Sequence, residues 1–207
     1  MNKRFEILLS EKEDDEKKKQ TDEKEAGADI LSAKFLKTRQ IILSGEINKE
    51  LAEKIARQLL ILEADSDEPI RLFIDSPGGD ADAGYAIFDM IRFINAPVIT
   101  IGMGLIASAA SIVLLAAPKE RRFGMPNSRY LIHQPMSGMQ GVTTEIEIHA
   151  QELEKMRVKI NEMIAAETGK SVEDVAKDTD RDYWLDAEEA KKYGLISKIC
   201  KTRKDIE

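Results

Sequence analysis

Ser108, His133 and Asp182, with the glycine pair Gly78-Gly79 upstream, are the residues whose types and spacing could do chemistry. Ser108 opens an apolar run to Ala117, just after the glycine-containing segment Gly102 to Ala107. A helix starting there would offer unpaired N–H groups and the positive end of its dipole. Such a place favours developing negative charge, so Ser108 reads as a nucleophile and the Ala109 N–H as an oxyanion donor. Taken alone, a small residue before an apolar helix is more often a plain N-cap. Ser111 is the competing hydroxyl; one turn further in, it is expected to bond a helix carbonyl. His133 ends the strand-like segment from Arg129 and is one of two histidines. A lone histidine there is commonly a hydrogen-bonded structural group. The other, His149, falls on the apolar seam of a long helix and reads as packing or interface, so His133 is the better base. Composition does not choose among Asp178, Asp180 and Asp182. Asp182 abuts Tyr183-Trp184-Leu185, an expected buried strand edge where a carboxylate needs a partner, and an imidazole N–H would serve. Gly78-Gly79 reads as a simple turn, or as backbone N–H groups left bare for a substrate to approach. Together these are the parts of serine acyl transfer: nucleophile, base, base-orienting acid and oxyanion donors.

The elements that must position these residues follow from periodicity and punctuation. Strands are expected at Gln40 to Leu43, Ile70 to Ile74, Val98 to Gly102, Arg129 to His133 and near Ile196 to Ile199. Asn48 reads as the N-cap of a helix from Lys49 to about Ala64, with Leu51, Ile55, Leu59 and Leu60 on one face. Ala83 to Ile94 reads as a second helix, ended by Asn95-Ala96-Pro97, and the Ser108 run as a third. Strand and helix thus alternate through the first half, which argues for parallel strands with right-handed crossovers. Sites in such sheets form at the carboxyl ends of strands, where Gly78-Gly79 and Ser108 both lie. Pro135 to Gly141 is expected to be extended. Thr144, with Glu147 as capping-box partner, is expected to open a long helix to about Thr168, stopped by Gly169. Ile146, His149, Leu153, Met156, Ile160 and Met163 form a narrow coiled-coil-like seam, part of which is expected to pack on another subunit. Ser171 with Asp174, and Asp186 with Glu189, read as caps of two short helices.

The 207 residues fit a single folded domain, taken as residues 29–207, after a charged and mobile segment, residues 1–28. A net charge of -7 argues weakly against nucleic acid and anionic membrane as partners. The single cysteine, Cys200, allows no intrachain disulfide and no Cys/His metal cluster, and suits a reducing cytoplasm. No segment reads as a signal peptide or a membrane span. Gly102-Met103-Gly104 lacks the third glycine of a dinucleotide fingerprint, and there is no phosphate loop.

From about Leu31 to Ile199 the chain resembles the ClpP family, the proteolytic subunits of the ATP-dependent Clp protease. The resemblance is carried by Ser76-Pro77-Gly78-Gly79, Met103-Gly104 through Ala107-Ser108, Pro126 to Arg129, Ile132 to Pro135, Gln140-Gly141, Glu145 to Ala150 and Asp178 to Asp182. It implies an α/β fold of the ClpP/crotonase type, built of repeated strand-strand-helix units with a protruding handle helix and strand. It implies a triad of Ser108, His133 and Asp182, an oxyanion hole of the Gly79 and Ala109 N–H groups, and substrate contacts from Gly78, Gly79, Met136 and Ser137. The Pro135 to Gly141 segment would be the handle strand that pairs with extended substrate. Gln140, Gly141, Asp180 and Arg181 would lie at an oligomer interface of stacked heptameric rings. The implied activity is serine endopeptidase action on unfolded proteins and short peptides. No cofactor or metal is implied in the chain itself; ATP would be used by a separate AAA+ unfoldase of the ClpX, ClpA or ClpC class.

The chain departs from the family pattern in places. Ala109-Ala110 stands where Met-Gly is usual, and Arg71 and Phe73 stand where tyrosines commonly help dock the ATPase. The family's axial pore loops are not recognisable in Met1 to Ala28. Two alternatives therefore stand beside the peptidase reading. One is a partner-dependent or regulatory paralogous subunit of a mixed complex, and the other is a crotonase-type acyl-CoA enzyme.

Overall fold

The computed structural model describes residues 34–206. The expected mobile segment, residues 1–28, lies outside the described residues. Contacts divide the chain into two compact units at Arg39/Gln40. In the first, residues 34–39 form a helical turn, with the Thr38 and Arg39 N–H groups donating to the Phe35 and Leu36 carbonyls.

The second unit opens with β1 (Gln40–Ser44), α1 (Lys49–Asp65), β2 (Ile70–Ser76), α2 (Ala81–Phe93), β3 (Val98–Ala107) and α3 (Ala109–Leu114). Then come β4 (Arg122–Gly124), β5 (Arg129–Ile132), the long α4 (Thr143–Thr168), α5 (Val172–Asp178), β6 (Tyr183–Leu185), α6 (Ala187–Tyr193) and β7 (Lys198–Ile199). Strands β1, β2, β3, β4 and β7 lie side by side in that order and pair in parallel. β5 pairs in parallel with the far half of β3 and antiparallel with β6. Alternation in β2 buries Ile70, Leu72, Ile74 and Ser76. Ile55, Leu59, Leu72, Ile74 and Ile87 are fully buried, each contributing about 1.5–3 kcal/mol on the usual area scale.

Local chemistry accounts for most element ends. The Asn48 side chain accepts from the Leu51 N–H at 2.8 Å and starts α1. The buried stripe of α1 is Ala52, Ile55, Leu59 and Leu62, rather than one including Leu51 and Leu60; Leu60 is left exposed. α4 begins one residue earlier than expected, and Glu145 rather than Glu147 accepts from the Val142 N–H at 3.4 Å. Gly169, at φ 79°, closes α4 in the left-handed conformation. The Ser171 and Asp186 caps form as the sequence predicts.

Two differences bear on the site. β3 does not stop at Gly102. The register with β2 jumps from Ile74↔Gly102 to Ser76↔Ile106, an irregularity inside β3. Gly104, at φ 62°, turns the chain there, and the Asp75 carboxylate accepts from the Leu105 N–H at 3.0 Å. The first half of β3 then pairs with β4 and the second half with β5. The apolar run after Ser108 is also helical only to Leu114. Its last carbonyls bond outside the helix: Thr100 Oγ1 donates to Leu114 O at 2.9 Å, and the Arg92 guanidinium donates to Leu115 O and Ala116 O.

Candidate active site

Ser108 sits between β3 and α3 at φ 54° and ψ -121°, a conformation that ordinary residues seldom adopt. Holding it there costs on the order of 1–3 kcal/mol, and the surroundings supply the constraint. Leu131 O accepts from the Ser108 N–H at 2.9 Å and from Ser111 Oγ at 3.1 Å. Ser111 Oγ also lies 3.3 Å from Ile106 O. Ser111 thus bonds strand carbonyls of β3 and β5 rather than a carbonyl of its own helix, as the sequence had suggested. The turn bearing Ser108 is thereby tied to the strand that leads into His133. The signal available in the sequence was a hydroxyl at one helical turn from Ser108, but its acceptors depend on β5 lying beside β3.

Gly78 and Gly79 follow β2 at φ 92° and 143°. The Ile47 N–H donates to Gly78 O and the Asp80 N–H donates to Ile47 O, both at 2.8 Å. That bridge uses neither polar group of Gly79, whose N–H donates no hydrogen bond among the described residues. A Cβ on Gly78 would lie 2.6 Å from Ala107 O, 2.7 Å from Ser108 Cβ and 2.9 Å from the Ala109 N. Two loops from two strand ends therefore meet without room for a methyl group between them. α3 is only six residues long, so individual N–H groups, rather than an extended dipole, are what it brings to the site.

His133 and Asp182 meet because of strand register. Antiparallel pairing of β5 with β6 places Tyr130 opposite Leu185 and Ile132 opposite Tyr183. One step beyond that ladder, residue 133 faces residue 182, and His133 Nδ1 lies 3.1 Å from Asp182 Oδ1. The imidazole is 11% exposed and the carboxylate 60% exposed. The expected burial at Asp182 is thus not observed: Trp184 is 46% exposed, with the Arg129 guanidinium 4.6 Å from its ring centre. Geometry also separates the three aspartates. Asp178 accepts from the Tyr193 hydroxyl at 2.9 Å, and Asp180 pairs loosely with the adjacent Arg181 at 3.8 Å.

Ser108, Ala109, Gly79 and His133 line one cleft of 680 Å³. Ile112, Leu153, Met156, Ile160 and Ile164 give it an apolar wall, and Met136 and Ser137 lie on its rim. His149, which the sequence assigns to packing or an interface, also lines it and lies 2.9 Å from Ser137 Oγ through Nε2. Gln140, Gly141, Asp180 and Arg181 are exposed and lie outside this cleft. Among the described residues, Ser108 Oγ makes no hydrogen bond to His133. Also among them, no group of three or more His, Cys, Asp or Glu could hold a metal ion, and no helix is long and apolar enough to cross a membrane. The arrangement can attack a carbonyl carbon from Ser108, move its proton to an oriented imidazole, and hold an oxyanion between two loops.

Comparison with known proteins gives the same family as the resemblance. The Clp protease family profile matches residues 22–203. The ATP-dependent Clp protease proteolytic subunit 2 of Treponema denticola is 69% identical over 200 residues, 96% of this chain and 98% of that one. Its namesake from Treponema pallidum is 63% identical, over 88% of this chain and 92% of that one. Among solved structures, a ClpP1 point mutant from Listeria monocytogenes superposes with a TM-score of 0.81 at 48% identity, covering 86% of this chain and 99% of that one. The chain belongs to the Clp protease family and is a serine endopeptidase proteolytic subunit of it.

Proposed function

We propose that Ser108, His133 and Asp182 act as nucleophile, base and orienting acid, with the Gly79 and Ala109 N–H groups as the oxyanion hole. The observation that carries this reading is the β5–β6 register, which sets Asp182 against His133 Nδ1 at 3.1 Å. Asp182 accepts the Nδ1–H and so leaves Nε2 free to take the Ser108 proton as Ser108 attacks a peptide carbonyl. The two N–H groups hold the oxyanion, each worth about 3–4 kcal/mol. The imidazolium then returns its proton to the leaving amine, and water releases the acyl group by the same steps. The apolar wall of α4 suits an apolar side chain beside the scissile bond, and the unpaired 135–141 backbone suits an extended peptide added as a strand. The test is hydrolysis of a short fluorogenic peptide by the purified chain beside Ser108→Ala and Asp182→Asn. Ser108→Ala should abolish turnover and Asp182→Asn should lower kcat at least tenfold; wild-type turnover in Ser108→Ala would reject the assignment.

The chain further reads as a self-associating subunit, in stacked heptameric rings, that receives substrate from an ATP-driven AAA+ unfoldase in the cytoplasm. Support comes from the N-cap and first turns of α4, where Val142, Ile146 and Ile148 stand exposed together, as apolar side chains at an interaction surface do. Residues 29–207 are taken as the peptidase domain. A second reading, that the site needs a paralogous subunit to become active, is favoured by the missing Ser108–His133 hydrogen bond in the single chain. Turnover by the chain alone would remove it; turnover only after mixing with a paralogue would establish it.

A further inference from the structure

Pro135, Met136 and Ser137 line the cleft, and among the described residues the whole segment Pro135 to Gly141 pairs with no strand. Met136 is 80% exposed, and residues 136–141 are all exposed. Among the described residues the segment makes one hydrogen bond, between Ser137 Oγ and His149 Nε2 at 2.9 Å. His149 lies in the second turn of α4, twelve residues along the chain, and is itself half-buried. Both partners line the cleft that holds Ser108 and His133. A seven-residue segment held at one point has most of its conformational freedom left, and a peptide pairing with it would have to remove that freedom on binding. A side-chain contact that fixes its middle lowers this cost in advance. It does so without using any backbone N–H or C=O, so the ladder stays open for substrate. The contact tolerates either histidine state: the serine hydroxyl donates to a bare Nε2 or accepts from an Nε2–H.

We propose that Ser137 and His149 form a clip that pre-positions the 135–141 segment for extended substrates, so that both are positioning residues for peptide binding. This rests on the reading that the segment pairs with substrate. It assigns to His149 a role the helical seam did not suggest, and to Ser137 a role in holding the segment beyond contact with substrate.

The test compares Ser137→Ala, His149→Ala and the double variant, using the full-length assembled protein and a fluorogenic hexapeptide. Labelling of Ser108 by a small fluorophosphonate, which has no peptide backbone to pair with the segment, serves as the second readout. Each single variant should raise KM by about five- to tenfold, the scale of one hydrogen bond. kcat and the labelling rate should stay within about twofold of wild type. The double variant should be no worse than either single, and Ser137→Thr should restore the wild-type KM. Unchanged KM in the singles, multiplied effects in the double, or a fall in kcat with KM unchanged would each overturn the clip. The underlying reading is checked separately with a hexapeptide N-methylated on its backbone ahead of the scissile bond. If N-methylation leaves the wild-type KM unaltered, strand addition itself fails. If it raises KM while the Ser137 and His149 variants are silent, the clip alone fails.

Discussion

Substituting alanine at Gly78 should cripple catalysis without unfolding the protein, and Gly45 provides the control. Both glycines sit at nearly the same positive φ, 92° at Gly78 and 88° at Gly45. Each substitution therefore carries the same left-handed penalty for an L-residue, about 1–2 kcal/mol. Their surroundings differ. A methyl at Gly45 meets nothing within 4 Å, whereas at Gly78 it meets Ala107 O at 2.6 Å, Ser108 Cβ at 2.7 Å and Ala109 N at 2.9 Å. All three belong to the turn that carries Ser108, the proposed nucleophile, and the Ala109 N–H, the proposed oxyanion donor, and none is the far end of a flexible side chain. Restoring an ordinary 3.4 Å contact to Ala107 O means a separation of about 0.8 Å between the two loops. A displacement near 1 Å at reacting groups costs roughly a hundredfold in rate. Gly78→Ala should thus lose about 10²-fold in kcat for a short fluorogenic peptide and about 1–3 kcal/mol in urea melts. Gly45→Ala should lose about 1–2 kcal/mol in the same melts and keep its kcat within about twofold. If Gly78→Ala retains wild-type kcat, or Gly45→Ala loses as much activity as Gly78→Ala, the argument from loop contact is refuted.

Two further predictions concern buried charge and hydroxyls. Arg122 is fully buried; its Nη2 donates to Glu167 O at 2.7 Å and its Nη1 lies 3.5 Å from Glu167 Oε2, while desolvation pulls its pKa down. Glu167 also bonds Arg92, so one carboxylate serves two arginines at the end of α4. Glu167→Leu should destabilise by about 3 kcal/mol, because it strands a buried cation, and a loss below about 0.5 kcal/mol in urea melts would contradict that reading. Burial pushes the Tyr85 and Tyr130 hydroxyls up to about 12. The folded state binds these protons more tightly than the unfolded chain. The stability they contribute is therefore whole below pH 10 and is lost as pH climbs from 10 toward 12. Ultraviolet titration should show Tyr85 and Tyr130 ionising above the ordinary tyrosine range, with Tyr193, raised further by burial and by Asp178, ionising later still; stability measured by urea should fall over that interval, and flat stability there would contradict the assignment.

Much of the site could be read from local order. A glycine pair after one strand, a serine after the next and a histidine after a third are local facts, because each sits where one element hands over to another. Caps at Asn48, Ser171 and Asp186 were legible for the same reason: a side chain and an N–H three residues away need no tertiary context. The choice of Asp182 over Asp178 and Asp180 was not local. It depends on the pairing of β5 with β6, and a one-residue slip would present a different side chain to His133. The exposure of Asp182 and Trp184 was misjudged because apolar composition implies burial only where another element arrives to cover it. Ser111 was misassigned because its acceptors, Leu131 O and Ile106 O, come from strands brought together by the irregularity in β3. His149 lay on an apolar seam by spacing, yet the first turns of α4 are mostly exposed, and the ring meets Ser137 instead.

The sequence by itself determined the chemistry available: which side chains can attack, accept a proton or leave a backbone N–H bare, and at which strand ends they fall. Only the tertiary structure decided which carboxylate meets His133, how the Ser108 turn is held at positive φ, and what Ser137 leans on. The physical reason is that residue type and short-range spacing encode chemistry and caps, while register between distant strands is set by packing of the whole sheet.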